Sequence, residues 1–343
     1  MQRRNRNHYN PVNEDCYGVE RVIVSRFFFH SHSRVTRDSY AGHMRCDLHV
    51  HSIHSGMCEV PGLNRICRES YNDPAEVYAV LRQRGMDLVT LTDHDSIDGA
   101  EPLRRFRRFF LSEEVTCRMP SGTQAHVGVY DISERQHIEI QRRRNDLPAL
   151  LAYLGEQRLF FSVNHLFSGL TGRRADEDFD WFESMFPAYE TRNGHMMSGH
   201  NHSAEAVARR LGKAEVGGSD AHALASAGSA YTEVSGARTK AEFLRGLRGG
   251  CGIAGGEHGG YTKLTRDVFD IAGSMMRHKR WTTLLLPLAP AIPIYTLAVM
   301  LHEFGFARRW SALADRRERG RPQPTRARER RQRFRFVEAL AWR

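Results

Sequence analysis

The 343-residue sequence has no CxxC pair, and its six cysteines, Cys16, Cys46, Cys58, Cys67, Cys117 and Cys251, form no dense framework. That excludes a disulfide-stapled scaffold and fits a reducing compartment. A secretory pattern is also missing, because the short apolar run "VIVSRFFF" is broken by Arg26 and follows a polar, Asn-rich stretch. Export is therefore not expected. No internal repeat is evident. Net charge is scarce in the centre of the chain: residues 308–343 hold thirteen Arg against four acids and residues 1–43 seven Arg against four, so the overall +10 leaves −2 for residues 44–307. Basicity confined to the ends argues poorly for a nucleic-acid-binding core.

Residues 1–43 show no sustained hydrophobic period and read as a disordered extension, with Met44 as an alternative start. From Met44 onwards strand-like and helix-like segments alternate, the pattern of a parallel α/β architecture whose sites lie at the C-terminal strand ends. Asp73 caps a helix that has Pro74 in first position and stops at Gly85. Strands are expected at "MDLVTLT", "HVGVYDI", "RLFFSVN", "AYETRN", "AEVGGSD" and "SAYTEV". Helices are expected at "ERQHIEIQRRR", "DLPALLAYL", "DFDWFESMF", "SAEAVARRLG" and "TKAEFLRGLRG". Residues 257–307 form a helical and apolar segment, and 308–343 an Arg-rich disordered tail.

Within that segment residues 281–301 carry no charge and are flanked by Trp281 and Trp310 and by cations. The pattern is that of a helix spanning or dipping into a membrane. Pro287, Pro290 and Pro293 oppose it, and the competing expectation is a Pro-rich arm packed on the domain or on a second subunit. The tail would then add attraction to anionic lipid, or loose nucleic-acid binding.

The chemistry-bearing residues start at "CDLHVHSIHSG", where Asp47, His49 and His51 occupy alternate positions and so share one strand face. An acid behind an imidazole can fix its tautomer, the role expected of Asp47. Further strand edges carry Asp93, His94 and Asp95; Glu113 and Glu114; His126; His165; and Asp220 with His222. One such residue is ordinarily structural, but so many together are most economically explained by metal binding. Imidazoles mixed with carboxylates suit Zn, Mn or Fe, and the donors exceed what one ion takes.

In this order "DLHVHS", "LTDHDSIDG", the Glu of "SEEVT", "NH" and "GSDAH" resemble the PHP (polymerase and histidinol phosphatase) superfamily over about residues 44–256. The resemblance implies a distorted (β/α)7 TIM-like barrel with two or three divalent metals at its C-terminal face. It implies ligands at His49, His51, His94, Glu114, His126, His165, Asp220 and His222, with Glu114 preferred to Glu113 because Val115 and Thr116 follow it. Many members carry a metal-binding Asp five residues after the second His, where this chain has Gly56; His54, Cys58, Glu59 and Asp73 are the candidate substitutes.

Such a cluster suits hydrolysis of a phosphate ester. Asp95 and His222 are expected as ligands or proton-transfer groups, and Arg65, Arg68, Arg173, Arg174, Arg192 and His195 as holders of the substrate phosphate. The leading expectation is a cytoplasmic phosphoesterase acting on a small phosphorylated metabolite or nucleotide, attached to the inner face of the membrane if residues 281–301 serve as an anchor. The alternatives are a 3′-end nuclease gripping DNA or RNA with the basic tail, and a non-catalytic metal-bound regulatory domain. Oligomeric state is not legible.

Overall fold

The structure is a computed structural model, and it describes residues 42–58, 60 and 62–319. The N-terminal extension, Glu59 and the chain beyond Arg319 lie outside the described residues.

Two sheets form the frame. Strands β1 (His43–Cys46), β7 (Ala230–Ser235) and β8 (Gly252–Gly256) make an antiparallel sheet in the order β1-β7-β8. Strands β2 (Ser112–Arg118), β3 (Gln124–Tyr130), β4 (Phe160–Val163), β5 (Ala188–Asn193) and β6 (Ala214–Gly218) make a second sheet in sequence order. The β2–β3 and β3–β4 pairs are antiparallel, and β4–β5 and β5–β6 parallel. This corrects the expectation of an all-parallel frame: the fold is mixed α/β, and no continuous ladder closes the described strands into a barrel. The first motif and "MDLVTLT" run as extended chain tied in by single parallel bridges, Val50 to Ala221, Val89 to Phe109 and His94 to Glu114. The short reach of these pairings is why two segments expected as strands are not full ladder members.

Helix starts follow local chemistry. Asp73 caps α1 (Pro74–Gln83), accepting from Ala75 N at 2.8 Å, and Pro74 takes the first position where no N–H is needed. Ser133 with Gln136 forms a reciprocal cap on α2 (Glu134–Arg143), and Asp146 caps α3 (Leu147–Glu156). Then follow α4 (Asp178–Met185) and α5 (Ser198–Leu211), the latter starting five residues before the expected "SAEAVARRLG". Thr239 and Glu242 cap α6 (Lys240–Arg248). The C-terminal segment comprises α7 (Tyr261–His278), a 3-10 helix over Arg280–Ala291 and α8 (Ile292–Arg319). Prolines every third residue remove the i to i−4 donors of an α-helix, and the chain winds more tightly there instead. Helix α8 continues through residue 308 to Arg319, past the expected start of the tail.

The largest core cluster lies beneath the five-stranded sheet, with Val115, Val127, Leu150, Phe179, Phe182 and Tyr189 closed off by Trp310 and Ala314 of α8. A second joins Met44, Leu48 and Val234 to Phe243 and Leu247, and a third packs Val77 and Leu81 of α1 on Val50, Val89 and Leu91. Burying aliphatic side chains of this size contributes roughly 1.5–3 kcal/mol each before chain entropy is counted.

Candidate metal centre

The segment carrying His49 and His51 is wedged against the end of β6. Asp220 N donates to His49 O at 2.6 Å, and His51 N to Ala221 O at 3.1 Å. That approach requires Gly218, since a Cβ there would stand 2.3 Å from the His49 Cβ. Asp47 fixes the same junction by accepting from Ser219 N (2.8 Å), Gly228 N (2.8 Å) and His49 N (3.1 Å). It is thus a brace between chain segments, not the acid behind the imidazoles, and burial pushes its carboxyl up to about 6 against those donors. The acid behind His49 is Glu190 on β5, whose Oε1 accepts from His49 Nδ1 at 2.8 Å. Glu190 was not expected from the sequence; its only signal there is a carboxylate in the middle of the short strand "AYETRN".

Glu114 is the hub. It is fully buried, and its oxygens stand 3.0 Å from His49 Nε2, 3.4 Å from His94 Nε2, 3.3 Å from His165 Nε2 and 3.4 Å from His126 Nδ1. Burial alone would raise this carboxyl, yet the surrounding imidazoles His49, His94 and His126 hold it well below the usual range. Asn164 Nδ2 donates to its Oε1 at 2.9 Å and fixes its plane. Glu113, on the opposite face of β2, accepts from His137 (2.9 Å) and Gln141 (2.7 Å) of α2 and takes no part. Strand alternation therefore separates the two acids as expected.

Asp220 forms a second focus, with Oδ1 3.4 Å from His49 Nε2 and 3.3 Å from His51 Nε2, and with Asn193 donating to Oδ2 at 3.0 Å. His165 (φ 30°) and Asp220 (φ 53°) both adopt the left-handed region that β-carbon sterics disfavour. Such conformations persist where the surroundings over-determine them, as functional sites do.

Gly56 is resolved by its backbone. With φ 95° and ψ −153° it occupies a conformation that an aspartate would enter only under strain. Facing it, Glu69 N donates to Gly56 O at 3.2 Å. The Glu69 carboxylate then reaches His222 Nε2 at 3.2 Å and His94 Nε2 at 3.5 Å. An acid thus enters the site from the returning strand of the loop. Of the expected substitutes, His54 is exposed, Cys58 N donates to Cys67 O and Asp73 caps α1, while Glu59 lies outside the described residues.

Five overlapping triads of potential ligands result: His51–His94–His222, His49–His51–Asp220, His49–Glu114–His165, His94–Glu114–His126 and His195–Asp220–His222. His195, expected at a phosphate, thus belongs with the ligand cluster, its Nε2 held at 2.8 Å by the buried Asp267 of α7. His51 Nε2 is buried without a hydrogen-bond partner and faces these acids, and burial with the neighbouring His222 pushes its imidazole down to about 3. A neutral imidazole with a free, inward-facing nitrogen is the form that ligates a divalent cation. The donor set therefore fits metal ions, and its overlap fits more than one.

The remaining expected residues lie elsewhere. Asp95 accepts from Thr116 N at 2.9 Å and pairs with Arg144, outside every triad. Arg174 is buried with its guanidinium 5.0 Å over Phe182, and its Nη2 donates to Thr171 Oγ1 at 3.2 Å. Arg68 donates to Ile53 O at 3.0 Å and braces the first-motif loop, and Arg192 binds the His258 ring at 2.6 Å. Arg65 and Arg173 are exposed.

Fold and centre together define a mixed α/β protein whose strand ends gather buried imidazoles and carboxylates into a site for divalent cations. A family model described as PHP-associated matches residues 198–251, and no curated protein matches the sequence. Over that stretch the chain is similar to the PHP-associated family. Its fold is similar to that of a two-domain protein from Bacteroides vulgatus ATCC 8482 containing a predicted PHP-like metal-dependent phosphoesterase, at 16% identity and TM-score 0.50, covering 71% of this chain and 74% of that one. PsfC from Pseudomonas syringae PB-5123 matches at 16% identity and TM-score 0.47 over 68% of this chain and 98% of its own. The lesion-specific endonuclease PfuEndoQ from Pyrococcus furiosus matches at 16% and 0.44, over 61% and 56%.

Proposed function

We propose that the chain is a hydrolase of phosphate esters, acting on a small phosphorylated metabolite or nucleotide. The observation that carries this reading is the convergence of His49, His94, His126 and His165 on the single buried carboxylate of Glu114, beside a second focus at Asp220. In the same reading, the two sheets and the parallel bridges at Val50, Val89 and His94 are parts of a distorted (β/α)7 barrel.

Two or three divalent cations, of Zn, Mn or Fe type, would be held by these triads and would supply Lewis acidity to the phosphoryl group and a lowered pKa to water. The chain's own part is positional. Glu190 holds His49 by its far nitrogen, which leaves Nε2 directed inward. Asn164 and Asn193 donate to Glu114, Glu190 and Asp220, so these carboxylates keep their orientation without competing for cations. His222 and His195, partly exposed and stacked with ring centroids 5.9 Å apart, lie at the accessible edge of the cluster, where a proton can pass to a departing oxygen.

Metal analysis joined to a panel of phosphate esters tests the reading. At least two ions per chain are expected, and His49→Ala and Asp220→Ala should each abolish turnover. Activity surviving both substitutions would overturn the hydrolytic assignment.

A further inference from the structure

The first half of helix α8 has its chemistry turned inside out. Its inward stripe, Thr296, Glu303, Ala307, Trp310 and Ala314, carries a hydroxyl and a carboxylate, while Ile294, Leu297, Leu301 and Phe304 recur along the opposite side and face outward. Ile294 is 72% exposed and Phe304 58%. The preceding 3-10 helix extends the strip, with Leu284 79% exposed and Trp281, Leu286 and Leu288 exposed beside it. A helix of a water-soluble surface shows the reverse pattern, and isolated surface leucines do not line up in this way.

Both ends of the strip are basic. It begins at Lys279 and Arg280 and ends at Arg308 and Arg309, and among the described residues none of Arg280, Arg308 and Arg309 has an acidic partner. A second copy docked on this strip, parallel or antiparallel, would bring like charges together at its ends. An anionic surface with an apolar interior meets both features at once.

The strip does not span that surface. Before it, Lys279 Nζ donates to Ile66 O at 3.0 Å and Asp267 holds His195; after it, Glu303 accepts from Ser168 Oγ at 2.7 Å and from Gly169 N at 3.1 Å. Chain on both sides of the apolar run is thus bound to one folded body, whereas a spanning helix would part its ends by about 30 Å of hydrocarbon. We propose that the outward face of the 3-10 helix and of the first half of α8 docks in the plane of an anionic lipid bilayer, as a monotopic contact. The proposal stands independently of the hydrolytic reading.

The test is sedimentation of the full chain with vesicles of phosphatidylcholine mixed with phosphatidylglycerol, compared with phosphatidylcholine alone. Binding to the mixed vesicles is expected, reversed by alkaline carbonate, and weakened roughly tenfold or more by Leu284→Glu with Leu301→Glu, and likewise by Arg280→Glu with Arg308→Glu and Arg309→Glu. These positions are exposed, so thermal melting should hold; if a combined variant melts early, the single Leu284→Glu decides. No binding, binding indifferent to the leucines, or resistance to carbonate would overturn the proposal. So would a dimer in sedimentation equilibrium that the leucine variant dissociates without any vesicle binding.

Discussion

Glu69 shows how an acid distant in sequence can reach the centre. At residue 56 the backbone dihedrals suit glycine, so the acid arrives from the opposite side of the loop, between His94 and His222. Glu69→Gln should therefore lower metal content by about one ion per chain while the Glu114 focus keeps its own, a difference that elemental analysis reads directly. Gly56→Asp should not restore the ion, because φ 95° strains any residue with a β-carbon. Metal content unchanged in Glu69→Gln would remove that carboxylate from the ligand set.

At the scale of elements, α8 is held by a polar clamp where a soluble helix would use leucines. Glu303 satisfies Ser168 Oγ and Gly169 N in the loop just after His165, and His200 Nε2 donates to its carbonyl at 3.2 Å. Glu303→Ala would leave Ser168 Oγ and Gly169 N without their acceptor, at a cost of about 1–3 kcal/mol, while the bond from His200 to the main-chain carbonyl stays. The expected result is a lowered melting temperature together with protease cleavage near residue 300 that the unaltered chain resists. Cleavage no faster than in the parent would show that Trp310 and Ala314 alone fasten the helix. The same element scale explains Arg174: on the strength of "TGRR" it reads as a holder of the substrate phosphate, and the turn into α4 buries it over Phe182.

For the whole molecule, the centre is a stability problem that bound cations would relieve. Glu114, Glu190, Asp220, His49 and His51 are all buried, and desolvation works against every charged form among them. Ligands that bind only the folded state stabilise it by mass action, about 2.7 kcal/mol at a hundredfold excess over the dissociation constant. Saturating Zn or Mn should accordingly raise the melting temperature by several degrees, and a chelator should reverse the gain. A melting temperature indifferent to both would argue against a preformed metal centre.

The sequence by itself determined what depends on near neighbours. Alternation along an extended chain put His49 and His51 on one side and set Glu114 apart from Glu113, and Asp73 marked a helix start by satisfying free N–H groups. The set of histidines and acids was legible from the same near-neighbour pattern, with His165 and Asp220 two residues past the ends of β4 and β6 and with Glu114 and His126 inside β2 and β3. Tertiary structure decided the rest: Glu69 beside His94 and His222, Glu190 behind His49, Asp267 behind His195, Asp95 diverted to Arg144, and mixed sheets where parallel ones were expected. Those partners lie tens of residues or more apart in most cases, and no periodicity or cap connects them. Only the path of the folded chain brings a carboxylate within 3 Å of a distant imidazole, or turns the leucines of α8 outward by giving Glu303 a reason to face in.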